Sequence, residues 1–381
     1  MKKVTWFNNF HEHRNHLLKY GLMKLHRAGQ VRFVVRDSSA LIQYNLPEKV
    51  INHIHRHTVL LLFENGLSHK WILVDSEDSF IYLCPLIKEV DMYFCAGYNT
   101  QFFEQREFIR PYYWQTEGDV SDYRNRVEEL IAGFGEHFHK VKKLVPIGAN
   151  HSHQKSSALC HKRWLAKKWA NLQDKVHRSL SGCLNWQNQF EMFEERYYEI
   201  LSLRKSALTY DIVLSDTLWG WPHHRYSLHR QLDKLSEKYL IHSSLKWNKA
   251  AENSEFTQEQ FPMLTRPIDR NYEFMLSASR LATFATGYHW GWRNIMTLAL
   301  CVGLPIYMDR PILEPYFDFD QFKVFYNVDS WLSIERYLQE IDYDSWLDIK
   351  KHNQTTYDKF MAPEKVASYF LETVSLDLTS R

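Results

Sequence analysis

Apolar and polar residues alternate along the chain in short blocks that predict strands and helices in turn. In the first 150 residues, strands are expected at 4–7, 31–35, 58–63, 71–74, 80–83, 91–95 and 144–147, and helices at 16–26 and 47–55. A second series follows, with strands at 210–215, 240–245, 281–286 and 304–308 and helices at 223–239, 271–279, 291–302 and 331–341. Strands that alternate with helices predict an α/β protein with largely parallel sheets covered on both faces.

The length of the chain and the changes in residue pattern along it indicate how it divides into domains. At 381 residues it is too long for one ordinary core, so two domains are expected. We place an N-terminal domain at 1–155 and a C-terminal domain at 206–345. The polar, helical segment 156–205 would connect them, and 346–381 is expected to be helical with a break at Ala362 and Pro363.

Composition narrows the class of protein. With 45% apolar and 24% charged residues the chain is globular, and a net charge of only +2 argues against a nucleic-acid binder. Aromatic residues make up 15%, which suits sugar-stacking surfaces or simply an aromatic-rich core. Apolar runs are short, and the five cysteines lack CxxC spacing, so we expect a cytoplasmic protein with reduced thiols.

The densest chemical content lies in 271–327, which includes GYHWGWRNIMTLALCVGLP. Gly287 and Gly291 bracket a turn between a strand and a helix, and Arg293 is expected in the first turn of that helix. Helix N-termini attract phosphate, and an arginine there can make a bidentate pair with a diphosphate. The plain alternative for Arg293 is a surface arginine.

The order of these residues in 277–307 resembles the C-terminal domain of GT-B glycosyltransferases, above all the exostosin-like and fucosyltransferase-like branches. Segment 210–232 resembles the strand and arginine-bearing helix that open that domain, and 71–99 resembles an acidic loop of the N-terminal domain. The resemblance implies two Rossmann-like domains that face a central cleft, with C-terminal helices that cross back to the first domain. It also implies that domain 1–155 is the acceptor side and that domain 206–345 binds the nucleotide sugar. Two positions depart from the pattern: Leu298 stands where a ribose-binding Glu is usual, and Cys95 where a Lys is usual.

The resemblance and the local chemistry together nominate two sets of site residues. The donor-binding candidates are Arg293, Gly287, His289, Trp292, Arg225 and Arg230. The catalytic candidates are Glu77, Asp78 and Asp75, which follow an apolar strand and can act as a general base on an acceptor hydroxyl or merely cap the next segment.

Histidine pairs and a basic segment carry weaker signals. The pairs lack the spacing of a zinc site, so no metal is expected. Lys140, Lys142 and Lys143, followed by the tryptophan-bearing segment 161–169, read as a solvated helix, as an interfacial helix on anionic lipid, or, more weakly, as an RNA contact.

The sequence therefore predicts a glycosyltransferase that moves a sugar from a nucleotide-sugar donor to a glycan or lipid-linked acceptor, without cofactor or metal. It would be cytoplasmic, with peripheral contact at the inner face of the membrane. The alternative is a catalytically silent protein of the same fold that binds a glycan or nucleotide. A different phosphate-handling enzyme, such as an epimerase, is disfavoured because GxGxxG and GxxxxGKS/T motifs are absent.

Overall fold

A computed structural model describes residues 1–8, 12–52, 57–109, 111–145, 185–218, 220–247, 257–262, 268 and 271–379. The strands are β1 Lys3–Asn8, β2 Arg32–Asp37, β3 Thr58–Asn65, β4 Ser68–Asp75, β5 Met92–Cys95, β6 Val141–Lys143, β7 Ile212–Leu218, β8 Ile241–Trp247, β9 Ala282–Phe284, β10 Ile306–Met308 and β11 Val324–Tyr326. The helices are α1 His16–Arg27, α2 Glu48–Ile51, α3 Glu117–Phe134, α4 Gln187–Ser202, α5 Pro222–Leu235, α6 Tyr272–Ser277, α7 Asn294–Val302, α8 Ile334–Glu340, α9 Tyr343–Phe360 and α10 Pro363–Thr379.

The first domain is built on a six-stranded sheet in the order β2-β1-β3-β4-β5-β6. The sheet is mixed, not largely parallel as the alternating pattern predicted, because β3 runs antiparallel to both β1 and β4. A tight hairpin is the reason: Asn65 pairs with Ser68, and Gly66 takes a φ of 63° in the two-residue turn. A glycine at the first position of a two-residue turn between two apolar runs is a hairpin signal that helical periodicity does not reveal.

The predicted strand at 80–83 is also wrong. Residues Phe80–Tyr82 form a short 3₁₀ turn, and the hydroxyl of Ser79 accepts a hydrogen bond from the backbone N–H of Ile81. A serine cap of this kind offers the backbone an alternative to a strand ladder. As a result, the segment after β4 folds over the carboxyl end of the sheet instead of adding a strand to it.

The second domain has an all-parallel sheet. The pair β7-β8 and the three strands β9-β10-β11 are joined by a parallel bridge between Tyr210 and Ser279. The strand order is therefore β8-β7-β9-β10-β11, in which the direction of winding reverses between β7 and β9. In open α/β sheets, ligands bind at the carboxyl ends of the strands beside such a switch point.

The last helix returns to the first domain. Helix α10 lies on α1, where the backbone of Pro363 meets Gly21. Phe370 packs on Phe94 of the first sheet with ring centroids 4.8 Å apart, and Asp377 forms an ion pair with Lys70. The predicted fold class, two α/β domains with a C-terminal helix that crosses back, is confirmed.

The break between α9 and α10 falls where the sequence predicted it. The domain boundaries themselves stay predictions, and the first of them, near residue 155, lies outside the described residues. Among the described residues, no helix is long and apolar enough to cross a membrane.

The contact of Gly21 with the returning helix can be tested by substitution. A Cβ at Gly21 would lie 1.9 Å from the carbonyl oxygen of Pro363 and 2.9 Å from the Cβ of Ala367. We expect Gly21→Ala to lower the free energy of unfolding by about 1–3 kcal/mol, as overpacking does, measured by urea denaturation. The matched control is Gly133→Ala in α3, where a Cβ meets nothing within 4 Å. This variant should gain up to about 1 kcal/mol from helix propensity; an equal response of the two variants would contradict the packing described.

Candidate functional site

Two arginines converge on one buried carboxylate at the carboxyl end of β7. Arg293 donates from Nη1 and Nη2 to the two oxygens of Asp216 at 2.9 and 2.8 Å. Arg225, in the first turn of α5, donates to Asp216 at 3.4 Å and to the backbone oxygens of Thr217 and Thr286. The side chains of Asp216, Arg225 and Arg293 are only 2%, 7% and 14% exposed.

Two carboxylates balance the two arginines in this region. Both guanidinium groups contact Asp216, and Asp309, which lines a small cavity together with Arg293 and acts electrostatically on Arg225, supplies the second negative charge. Burial alone would raise the pKa of Asp216, but Arg293, Arg225 and His229 hold it well below its usual range. Burial lowers the pKa of Arg225 to about 10, despite the opposing effect of Asp216, so it stays cationic at neutral pH.

The glycine turn after β9 positions Arg293. The N–H of Gly287 donates to the carbonyl of Gly291 at 2.9 Å, and a Cβ on Gly287 would lie 2.3 Å from that same oxygen. Within the turn, His289 and Trp290 take left-handed φ values of 55° and 62°. Helix α7 begins at Asn294, and Arg293 is its N-cap. The prediction that Arg293 lies in the first turn of this helix is therefore wrong. Non-glycine residues rarely take this backbone conformation, so tertiary contacts must hold it.

Those contacts come from the first domain. The ring nitrogens of His289 lie 2.6 Å from the hydroxyls of Tyr82 and Tyr123. Trp290 stacks on Phe80 with centroids 6.0 Å apart. The segment that follows β4 therefore packs directly on the glycine turn, and the carboxyl edges of the two sheets face each other.

The three predicted carboxylates differ sharply in access. Asp75 is 2% exposed and accepts hydrogen bonds from Tyr93 and from the backbone N–H of Glu77. Glu77 is equally buried and lies 3.3 Å from Nη1 of Arg14. Asp78, at 3.4 Å from the same nitrogen, keeps 30% of its side chain exposed. Of the three, Asp78 is the most accessible to a substrate.

Of the remaining donor candidates, Trp292 lines a small cavity together with Arg293. Trp292 is buried, donates to the hydroxyl of Thr297 at 3.3 Å and packs edge-on against Phe319. Its surroundings are those of a packing residue. Arg230 is exposed, whereas Arg225, on the same helix, is buried.

A histidine–aspartate pair beside the arginines was not among the predicted site residues. Nε2 of His224 lies 2.8 Å from Oδ2 of Asp309, which directly follows β10. Asp309 also accepts from the backbone N–H of Thr286 at 2.8 Å and from the amide of Asn327 at 2.9 Å. The sequence offered only the His223–His224 pair as a weak metal signal, because the partner carboxylate is 85 residues away.

One small cavity connects the arginine cluster and this pair. Thr286, Arg293 and Asp309 all line it, and its volume is about 20 Å³. That is room for about one water molecule. A larger ligand can enter only if the two domains separate or the glycine turn moves.

Two further sequence predictions concern a metal site and the basic segment 161–169. No group of three or more His, Cys, Asp or Glu side chains arranged to hold a metal occurs in the described ranges. The predicted absence of a metal stays a prediction. The tryptophan-bearing basic segment 161–169 lies outside the described residues.

Comparisons with known proteins give limited information. No protein-family model and no curated protein matches the chain. Among solved structures, the chain is similar to a variant of the wall teichoic acid polymerase TagF soaked with CDPG, at 9% identity and a TM-score of 0.32, over 99% of this chain and 88% of that one. It is also similar to a second TagF structure, at 10% identity and a TM-score of 0.28, over 80% and 72% of the two chains. At these TM-scores neither likeness defines a function, which depends on the geometry of the site.

The buried carboxyl of Asp75 should make stability depend on pH. Burial raises its pKa to about 7, from an ordinary value near 4 in the unfolded chain. A group whose pKa is higher when folded stabilises below the unfolded value, and this contribution is lost as pH rises to the folded value. We therefore expect the free energy of unfolding of the wild type, relative to Asp75→Asn, to fall by about 2–3 kcal/mol between pH 5 and pH 8. Urea denaturation of both proteins at the two pH values measures this; a constant difference would contradict it.

Proposed function

We propose that the chain is a glycosyltransferase whose nucleotide-sugar donor lies at the carboxyl edge of the second sheet. The observation that carries this proposal is the convergence of Arg225 and Arg293 at the switch point between β7 and β9. Two guanidinium groups can hold a diphosphate in bidentate geometry, and the N-terminus of α7 adds its dipole. Both stabilise the charge that develops on a leaving nucleoside diphosphate without a metal ion.

The acceptor belongs on the opposite side of the cleft. The carboxyl ends of β4, β5 and β6 face the glycine turn through the contacts of Phe80, Tyr82 and Tyr123. In this arrangement a glycan hydroxyl approaches the donor from the first domain. The cavity beside Arg293 is about 20 Å³ and is lined by residues of the second domain, so donor entry there requires the glycine turn to move.

His224 is the base that we assign to this reaction. Because the carboxylate of Asp309 can only accept, Nε2 of His224 carries the proton and Nδ1 of the neutral ring has the lone pair. Among the described residues Nδ1 has no hydrogen-bond partner. The ring is held between Trp114, with centroids 3.8 Å apart and planes 8° apart, and Trp331 at 4.9 Å. A base oriented by a buried carboxylate is the general arrangement for activating a hydroxyl.

Transfer of the sugar then takes place in one step. Nδ1 of His224 takes the proton of the acceptor hydroxyl while its oxygen bonds to the anomeric carbon of the sugar. The bond from that carbon to the diphosphate oxygen breaks, and the electron pair leaves with the nucleoside diphosphate. Asp309 acts as a positioning residue that stabilises the imidazolium. Asp78 is the second candidate base, since it is the most exposed carboxylate of its segment.

A catalytically silent nucleotide- or glycan-binding protein is the alternative. The observation in its favour is that Asp216 occupies both terminal nitrogens of Arg293. In addition, α7 has the sequence NIMTLALCV and so contains no Asp or Glu that could bind a ribose. Turnover distinguishes the two functions, since a binder holds the nucleotide without releasing a product.

Donor binding is tested by thermal unfolding with UDP, GDP, CDP and ADP. We expect one nucleotide, at about 100 times its dissociation constant, to stabilise the wild type by roughly 2.7 kcal/mol. Arg293→Lys keeps the charge but loses the bidentate geometry, so the shift should shrink markedly. Arg230→Ala, at an exposed position of α5, should keep the full shift. If no nucleotide stabilises the wild type, the donor site is refuted.

The role of His224 is tested by release of nucleoside diphosphate from sugar nucleotides, with water as the acceptor. We expect His224→Gln to lower the rate about 10²–10⁴-fold, the usual contribution of a general base, while the nucleotide-induced thermal shift is retained. Asp309→Asn should lower kcat with little effect on KM. The control is His223→Gln, at the neighbouring exposed position.

Turnover by His224→Gln at the wild-type rate would reject this base and turn attention to Asp78. A wild type that binds nucleotide but releases no product would support the silent binding protein.

A further inference from the structure

Asn327 directly follows β11 and lies beside Asp309, the partner of the proposed base. It is buried, and its Nδ2 donates to Oδ1 of Asp309 at 2.9 Å. The other oxygen of that carboxylate, Oδ2, is the one that faces His224 and accepts from the backbone N–H of Thr286. Asn327 therefore fixes the rotation of the carboxylate so that Oδ2 points at the imidazole.

The carbonyl oxygen of the same amide holds a second support of the base. Oδ1 of Asn327 accepts from the backbone N–H of Trp331 at 3.0 Å. Trp331 is fully buried, has a left-handed φ of 76° and packs on the ring of His224 with centroids 4.9 Å apart. A bulky residue keeps such a backbone conformation only where its surroundings hold it. Because a carboxylate only accepts and an N–H only donates, the two sides of the amide cannot be exchanged.

The first domain also contacts this network, through Tyr113. The hydroxyl of Tyr113 lies 3.4 Å from Oδ1 of Asn327 and accepts from the backbone N–H of Ser330 at 2.7 Å. Ser330, like Trp331, has a left-handed φ, here 56°. The contacts of Asn327 thus reach from the first domain to the edge and to one face of the imidazole.

We propose that Asn327 is a positioning residue for the transfer reaction, which holds Asp309 and Trp331 so that the lone pair of His224 Nδ1 meets the acceptor hydroxyl. This inference rests on the proposed function, because it takes His224 as the base. Asn327 touches neither the substrate nor the base and acts through its two neighbours. Without its amide, a buried oxygen of Asp309 loses its donor, which is costly, and the carboxylate can turn away from Nε2.

Three single substitutions separate positioning from packing. Asn327→Ser removes both contacts of the amide. Asn327→Asp keeps an acceptor for the N–H of Trp331, but the new carboxyl can donate to Asp309 only while it is protonated. The matched control is Asn353→Ser, since Asn353 is also buried and bonds the backbone at the opposite ends of β10 and β11.

Release of nucleoside diphosphate from sugar nucleotides gives the first readout. We expect Asn327→Ser to lower kcat about 10²-fold, which a misplacement of about 1 Å can cost, with little change in KM. Asn353→Ser should lower the urea midpoint of unfolding but keep the wild-type kcat.

The pH dependence of Asn327→Asp gives the second readout. The facing carboxylate of Asp309 favours the protonated form of the new carboxyl, and protonation restores the donor. The ratio of its kcat to the wild-type kcat should therefore rise about tenfold from pH 8 to pH 6. Titration of His224 itself occurs in both proteins and cancels in this ratio.

Nitrogen NMR of the histidine rings gives a readout that needs no turnover. The signals of His224 are assigned by their absence from His224→Gln. In the wild type we expect the proton on Nε2 alone, and in Asn327→Ser we expect it to be shared between the two ring nitrogens. Asn353→Ser should give the wild-type signals.

Wild-type His224 signals in Asn327→Ser would overturn the proposal, and so would an equal loss of kcat in Asn327→Ser and Asn353→Ser. If Asn327→Ser does not fold, a kcat ratio of Asn327→Asp that is the same at pH 6 and pH 8 would overturn it. A wild type without turnover, in which Asn327→Ser still redistributes the proton, would refute the proposed reaction but leave the role of Asn327 toward His224 in place.

Discussion

The arrangement of β7, α5 and α7 in the second domain depends on the ionic cluster around Asp216. It ties the end of β7 to the first turn of α5, where Arg225 lies nine residues from Asp216, and to the N-cap of α7, which is 77 residues away. Burying one carboxylate is costly unless it is paired, and here two guanidinium groups pair with it. The cluster therefore fixes the strand end, the helix and the glycine turn relative to each other. It also places two guanidinium groups at the point where the winding of the sheet reverses.

The position of the first domain follows from that arrangement. Because the glycine turn is held in place, His289 and Trp290 project toward the first domain in a backbone conformation that they would rarely adopt alone. Tyr82, Tyr123 and Phe80 then close over them. Trp114, also from the first domain, covers His224. The aromatic content that looked ambiguous in the sequence is thus concentrated, in part, where the two domains meet.

The sequence predicted elements with a strong repeating pattern and missed those without one. The apolar run in β3 and the helical spacing in α1 correspond closely to the predicted segments. Helix α3 was missed because only Val120, Val127 and Leu130 are buried along it, although Thr116 and Asp119 form a capping box that marks its start. Apolar periodicity in a single sequence reveals a helix only when its buried face is wide, and the buried face of α3 is narrow.

The site was predictable only one residue at a time. Arg293 and Arg225 stood out through their place near a turn and a helix start. Their shared partner did not, because Asp216 is 77 residues from Arg293 and local spacing carries no information on such contacts. The same holds for His224 and Asp309. The chemistry of single residues suggests candidate site residues, but only the folded structure shows which of them are in contact.

The returning helix has a mechanical consequence. The chain joins the two domains once ahead of β7 and again through α10, whose contacts with Gly21, Phe94 and Lys70 anchor it on the first domain. Two attachments oppose sliding of one domain against the other. Rotation of the domains about the line between the attachments is therefore the least restrained motion. The cleft would then open by rotation about that line, and each closure would bring the segment after β4 back onto the glycine turn in the same register.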